Sequence, residues 1–174
     1  GQGWQVSLTT LMNERAAIGG SFGQMDVSRA MSVAAEVEID GRPALEDAAV
    51  RARIADWYVQ EAGLKYTGYR SLTALSRGAL PGPENSIGKL VGAPKMQAMS
   101  SYLMDLLGAS GAIADEALAA KAGIIQRAYM GAPGLRIAGG TDEIMANIIA
   151  ERVLGLPQEP RLDKGIPFNE VPTG

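Results

Sequence analysis

Residues 136–157, RIAGGTDEIMANIIAERVLGLP, set two glycines and a threonine directly before a helix-patterned segment and close it with Gly155 and Pro157. Thr141 is suited to the N-cap, where its hydroxyl accepts from an unpaired backbone N–H, and Asp142 and Glu143 complement the positive end of the helix dipole. Gly155 and Pro157 supply the stop. A segment marked at both ends in this way is a helix. The glycines before it suit a phosphate cradle, a catalytic loop or a plain cap, because without a β-carbon the backbone can approach a ligand. The acidic first turn argues against phosphate, which it would repel. An acceptor at that place suits ribose hydroxyls or amide donors.

The same period extends through the rest of the chain. Trp4, Leu8, Leu11, Ile18, Phe22 and Met25 recur at steps of three, four and, between Leu11 and Ile18, seven residues. With Ala30, Met31, Ala34 and Ala35 they predict one long first helix, about 30 residues, ending near IDGRP. A second helix is expected from Glu46 to about Leu64, with Val50, Ile54 and Trp57 on one side and an extension to Leu75 despite Gly63 and Gly68. ALPGPENS reads as a loop. A third helix follows from about Ser86 to Leu107, interrupted or kinked by Pro94. GASGAIAD reads as a connection, AIADEALAAKAGIIQRAYM as an alanine-rich fourth helix and MGAPGLRIAGG as a loop. No stretch has the alternation of a strand, and no internal repeat occurs. The fold class expected is all-α, an antiparallel four-helix-type bundle, over residues 1–157. Pro157, Pro160, Pro167 and Pro172 make 158–174 an extended C-terminal tail.

Composition removes several function classes. The 174 residues, 47% hydrophobic, suffice for the core of one domain. The 16 basic and 19 acidic residues leave a net charge of −3, and aromatic content is 5%. Neither attraction to a polyanion nor base stacking is provided for, so no nucleic-acid partner is expected. The chain has neither cysteine nor histidine. Cys or His nucleophiles, Ser-His triads and Cys/His zinc sites are therefore excluded, no metal is expected, and acid-base chemistry falls to Asp, Glu, Lys or Tyr. No apolar run approaches the roughly 18 residues that span a bilayer, and GQGWQVSL lacks the order of a signal peptide. No membrane association and a cytoplasmic location are the expectation. A start at Gly1 without methionine suggests a fragment or a processed chain.

Two neighbouring residues stand out in LMNERAAIGG. Glu14 has Leu11, Ala17 and Ile18 at i−3, i+3 and i+4, and a carboxylate at the edge of an apolar stripe is costly unless paired or used. It reads either as a salt-bridged boundary residue or as a general base for a weakly acidic proton. Arg15 lies in line with Leu8, Leu11, Ile18 and Phe22, pointing into the bundle, where it pairs with an acidic residue, or into a subunit contact. Met96, Met99 and Met104 read as core filling, Arg51, Arg53 and Asp56 as a solvated face, and Tyr66, Tyr69 and Tyr102 either as ligand-facing rings or, more commonly for such residues, as core-capping rings with the hydroxyl outward.

Three separated motifs, LMNERAAIGG, LPGPENSIGKL followed by YLMDLLG, and IAGGTDEIMANIIAERVLGLP, together resemble the C-terminal helical domain of bacterial acyl-CoA dehydrogenases, in that family's order and from Trp4 to about Pro157. The resemblance implies a flavoenzyme of lipid metabolism that binds FAD between this domain, a middle β-domain and a neighbouring subunit. It oxidises an acyl-CoA to the trans-2-enoyl-CoA and passes electrons to an electron-transferring flavoprotein. The family's N-terminal helical and middle β-domains are absent from this sequence, so the isolated chain is expected neither to hold FAD well nor to turn over. In the medium- and short-chain branches the base directly precedes Gly-Thr, a position occupied here by Gly139. In the isovaleryl and long-chain branches it sits on the first helix before an arginine, which Glu14-Arg15 matches. Gly140, Thr141 and Glu143 match the segment that touches the adenosine side of the flavin. Val37, Ile39 and Asp40 replace the Arg and Phe-Gly pair that help hold the pyrophosphate, and Ala146 replaces an arginine. A homo- or heterotetramer is implied, the departures fitting one member of an unequal pair, a flavin-poor structural partner.

Overall fold

The structure is a computed structural model and describes residues 2–20, 25–78, 82–113, 115–161, 163 and 165–171. Six α-helices dominate the described residues: α1 (Gly3–Gly20), α2 (Val27–Glu36), α3 (Ala48–Ser76), α4 (Asn85–Leu107), α5 (Ile124–Ile137) and α6 (Asp142–Arg152). Two-residue strands, β1 (Glu38–Ile39) and β2 (Arg42–Pro43), form an antiparallel hairpin between α2 and α3. The class is all-α, as expected.

Helix α4 is the central element, in contact with α1, α2, α3, α5 and α6. Its buried positions Ser86, Lys89, Gly92, Ala93, Met96, Met99, Ser100 and Leu103 recur at three and four residues, which keeps them on a continuous inner face. Lys95 lies buried beside that face. Pro94 sits inside α4, and the helix continues through it to Leu107. Val50, Ile54 and Trp57 of α3 are buried against this core, and Met99 is fully inaccessible. Trp57 meets Tyr102 of α4 edge to face, with ring centroids 5.5 Å apart and planes at 70°, a favoured arrangement for aromatic quadrupoles. Arg51, Arg53 and Asp56 face solvent.

Helix boundaries follow local capping. The single first helix expected from the sequence is instead two: Asp26 caps α2, its carboxylate accepting from Arg29 N at 2.8 Å, and α1 closes at Gly20. Trp4 and Leu8 of α1 are exposed, so the α1 stripe is not buried by the described residues at its start; the side chain of Ile18, and Phe22 as a whole, lie outside what is described. Asp47 caps α3, accepting from Ala49 N at 2.8 Å and Val50 N at 3.0 Å, and α3 runs through Gly63 and Gly68 to Ser76. Asp47→Ala removes both bonds and should cost about 1 kcal/mol, or a Tm lower by about 2–4 °C. Thermal unfolding of the variant checks this.

The segment read as a fourth helix followed by a loop is displaced along the chain. Asp115 accepts from Ala117 N at 2.8 Å in a turn, and Gly123 takes a left-handed φ of 70°, so the alanine-rich stretch starts no α-helix before Ile124. Conversely, MGAPGLRI lies inside α5, Pro133 included. Packing is the reason: Ile125, Ala128 and Ala132 are buried on the side of α5 that meets α4, and that burial outweighs the weak helix preference of glycine and proline. IDGRP is a hairpin. Asp40 and Gly41 both have positive φ, 52° and 74°, as required by the two-residue turn whose twist matches the strands.

Candidate functional site

Helix α5 ends at Ile137 and α6 begins at Asp142, so four residues make the joint. Gly139 at φ 67° and Gly140 at φ 115° turn the chain through conformations that β-carbons disfavour. Thr141 is the N-cap, as expected, its hydroxyl accepting from Ile144 N at 3.4 Å. The exposed Glu143 carboxyl is held below its ordinary 4.5, first by the Thr141 hydroxyl, then by its own backbone N–H and the charge of Arg136. It is therefore ionised at neutral pH and only accepts hydrogen bonds.

A cleft of about 270 Å³ opens beside this cap, lined by Gln97 of α4, Pro133, Arg136 and Ile137 of α5, and Thr141, Asp142 and Glu143. Arg136 spans its wall. Its Nε donates to Asp142 Oδ2 at 2.7 Å and one terminal nitrogen to Gln97 Oε1 at 2.9 Å. The guanidinium is thus bound to protein acceptors. The second oxygen of Asp142, Oδ1, is buried without a hydrogen-bond partner among the described residues. The cleft combines apolar patches with one outward carboxylate, that of Glu143. A carboxylate there accepts from hydroxyl and amino donors and repels a further anion.

The joint is fastened from beneath by Lys89. This lysine is fully buried, and its ammonium donates to Arg136 O at 3.2 Å and to Gly140 O. Sequence reading passed over Lys89, yet a signal existed. It stands three, four and seven residues before Gly92, Ala93 and Met96, in line with the apolar face of α4.

The two groups of predicted site residues lie on different elements. Thr141 and Glu143 line the cleft, and Gly140 directly precedes them in the joint. Glu14 is half-buried on α1, which packs on α4, and no hydrogen bond or ion pair joins it to Thr141 or Glu143 among the described residues. The side chain of Arg15 lies outside the described residues. Val37 is half-buried at the end of α2, Ile39 and Asp40 are exposed in the hairpin, and Ala146 is exposed on α6.

Comparison with known proteins agrees with this architecture. Residues 1–154 match the family model "Acyl-CoA dehydrogenase, C-terminal domain". The acyl-CoA dehydrogenase FadE34 of Mycobacterium tuberculosis is 31% identical over 159 residues, 90% of this chain and 20% of that protein. Among solved structures, the Tcur3481-Tcur3483 steroid ACAD superposes with a TM-score of 0.73 at 25% identity, over 90% of this chain and 40% of that one. The ChsE4-ChsE5 complex of M. tuberculosis superposes at 0.64 and 22% identity, over 79% of this chain and 35% of that one. The chain spans 20% to 40% of the lengths of the curated relatives it matches. No described helix is long and apolar enough to cross a membrane. By the family model over almost its whole length, and by a bundle of the same fold, this chain belongs to the acyl-CoA dehydrogenase family, as its C-terminal domain.

Proposed function

We propose that this domain works within an FAD-dependent acyl-CoA dehydrogenase that converts an acyl-CoA thioester to the trans-2-enoyl-CoA. The observation that carries the reading is the Thr141–Glu143 cap, whose ionised Glu143 carboxylate is an exposed hydrogen-bond acceptor beside the cleft, in a chain of this family. When bound, FAD supplies the acceptor for the β-hydride. Thr141 and Glu143 hold hydroxyl and amino donors on its adenosine side, and Gly140 lets the backbone approach. Glu14 takes the α-proton, Arg15 beside it on α1 supports the same site, and the electron pair of the α C–H bond becomes the new double bond. N-terminal helical and middle β-domains complete the cofactor site, in a homo- or heterotetramer that delivers electrons to an electron-transferring flavoprotein.

The test is flavin affinity in the assembled enzyme. A hydrogen bond to a charged acceptor contributes about 1.5–3 kcal/mol, so Glu143→Gln should weaken FAD binding about tenfold or more. Thr141→Ala should act in the same direction. Titration of apoenzyme with FAD, followed by quenching of flavin fluorescence, reads both. Unchanged affinity in both variants would sink the cofactor assignment.

A second reading has its own observation. The hairpin turn presents Asp40, with Val37 and Ile39 beside it, where the resemblance implies groups that hold a pyrophosphate, and the ChsE4-ChsE5 structure is by its printed description a complex. On this reading the chain is a flavin-poor partner subunit that completes the site of an unlike chain. One FAD per subunit supports the first reading, and one per two unlike subunits the second.

A further inference from the structure

Two backbone bonds at the joint between α5 and α6 are local to it. Ala138 N donates to Gly134 O at 2.9 Å and Gly140 N to Ile137 O at 3.2 Å. Neither bond fixes the joint to the rest of the bundle. A link to α4 comes from Lys89, whose ammonium reaches both Arg136 O at the end of α5 and Gly140 O directly before the α6 cap. The last carbonyls of a helix have no intrahelical donor, and a cation there also complements the negative end of the dipole. Such a cation usually comes from the surface. Here it is fully buried, where losing an acceptor would be costly.

The geometry points to Lys89 as a positioning residue: its ammonium, bound to Arg136 O and Gly140 O, sets where Thr141 and Glu143 stand and thereby governs the cofactor-contact cleft without touching the cofactor. The second attachment of this wall, Arg136 to Gln97, is exposed to solvent, so it is more readily exchanged for water. Lys89 is the dry one. Its removal frees two carbonyls at the point where α6 begins, and the cap is the first structure downstream. This inference rests on the proposed role of Thr141 and Glu143, and its test is arranged so that the two can fail separately.

Lys89→Met keeps the length and loses the charge. In the assembled flavoenzyme, hydrogen exchange read by mass spectrometry over peptides covering 137–145 should accelerate by at least about tenfold, with peptides of α2 unchanged. FAD affinity should fall by a similar factor. In the Glu143→Gln background, Lys89→Met should have a much smaller effect on affinity, since residues acting through one group are non-additive. Lys95→Met, a second buried-lysine change on the same helix, is the control. It should lower global stability without selective loosening of 137–145. Should Lys89→Met not fold, Lys89→Gln, which keeps a donor, is read in the same way. Unchanged exchange over 137–145, an increase spread evenly over the bundle, or additivity with Glu143→Gln overturns the proposal. Glu143→Gln and Thr141→Ala with unchanged FAD affinity overturn instead the cofactor reading on which it rests.

Discussion

Glu14→Gln in the assembled enzyme should slow reduction of the bound flavin by acyl-CoA by roughly 10²–10⁴-fold, the usual contribution of a positioned general base. Elimination places the electron pair of the α C–H bond into the new double bond, and the proton must leave to a base at the α-carbon. This chain has no histidine and no cysteine, so among its own residues a carboxylate is the natural acceptor. The loop position where the resemblance implies this base in other branches of the family matches Gly139 here. Gly139 has no side chain, and its φ of 67° and the 115° of Gly140 are conformations that a β-carbon disfavours. Glu14 is half-buried on α1, and glutamine matches its shape. The variant should therefore fold normally, with a Tm within about 2 °C of the parent, since surface and boundary changes of this kind stay within about 0.5 kcal/mol. Stopped-flow flavin bleaching measures the rate, and FAD content is checked alongside. A normal reductive rate with full FAD content removes Glu14 from the base position.

The parts of this molecule that could be read in the sequence are those decided by neighbours along the chain. Thr141, Asp142, Glu143 and Gly155 announce α6 because capping acts within one turn. Val50, Ile54 and Trp57 announce the inner face of α3 by their spacing. What could not be read was decided by distant residues. Gly131, Pro133 and Gly134 look like a loop until α4 is placed against Ala128 and Ala132. The break before α2 depends on Asp26, whose capping bond is visible only once the backbone has turned. For the site, the cap and its acidity were legible, and the clamp beneath it was not. A lysine carries a charge wherever it stands, and only the fold shows that Arg136 O and Gly140 O are turned toward Lys89.

The second buried lysine supports the largest stability effect. Lys95, with a side chain only 2% exposed, donates to Glu61 Oε2 at 2.9 Å, and the same oxygen accepts from Val27 N at 3.1 Å. One carboxylate of α3 thus neutralises a buried ammonium of α4 and satisfies an unpaired N–H at the start of α2. Glu61→Ala leaves Lys95 charged and without its counter-ion in the core, and in the same step it takes the acceptor from Val27 N, while the Asp26 cap of α2 stays in place. Breaking a buried pair by removing one partner costs about 3–5 kcal/mol, and the 39% exposure of Glu61 places this pair at the low end of that range. A loss of about 3 kcal/mol corresponds to a Tm lower by about 6–12 °C in a domain of this size. The double change Glu61→Met with Lys95→Met tests the cause. It removes both charges and leaves only the Val27 N–H to find water, so it should recover much of the loss, because desolvation of an unpaired ammonium no longer counts. Equal destabilisation in the single and double variants, measured by urea unfolding, would show that lost packing and not the orphaned charge sets the effect.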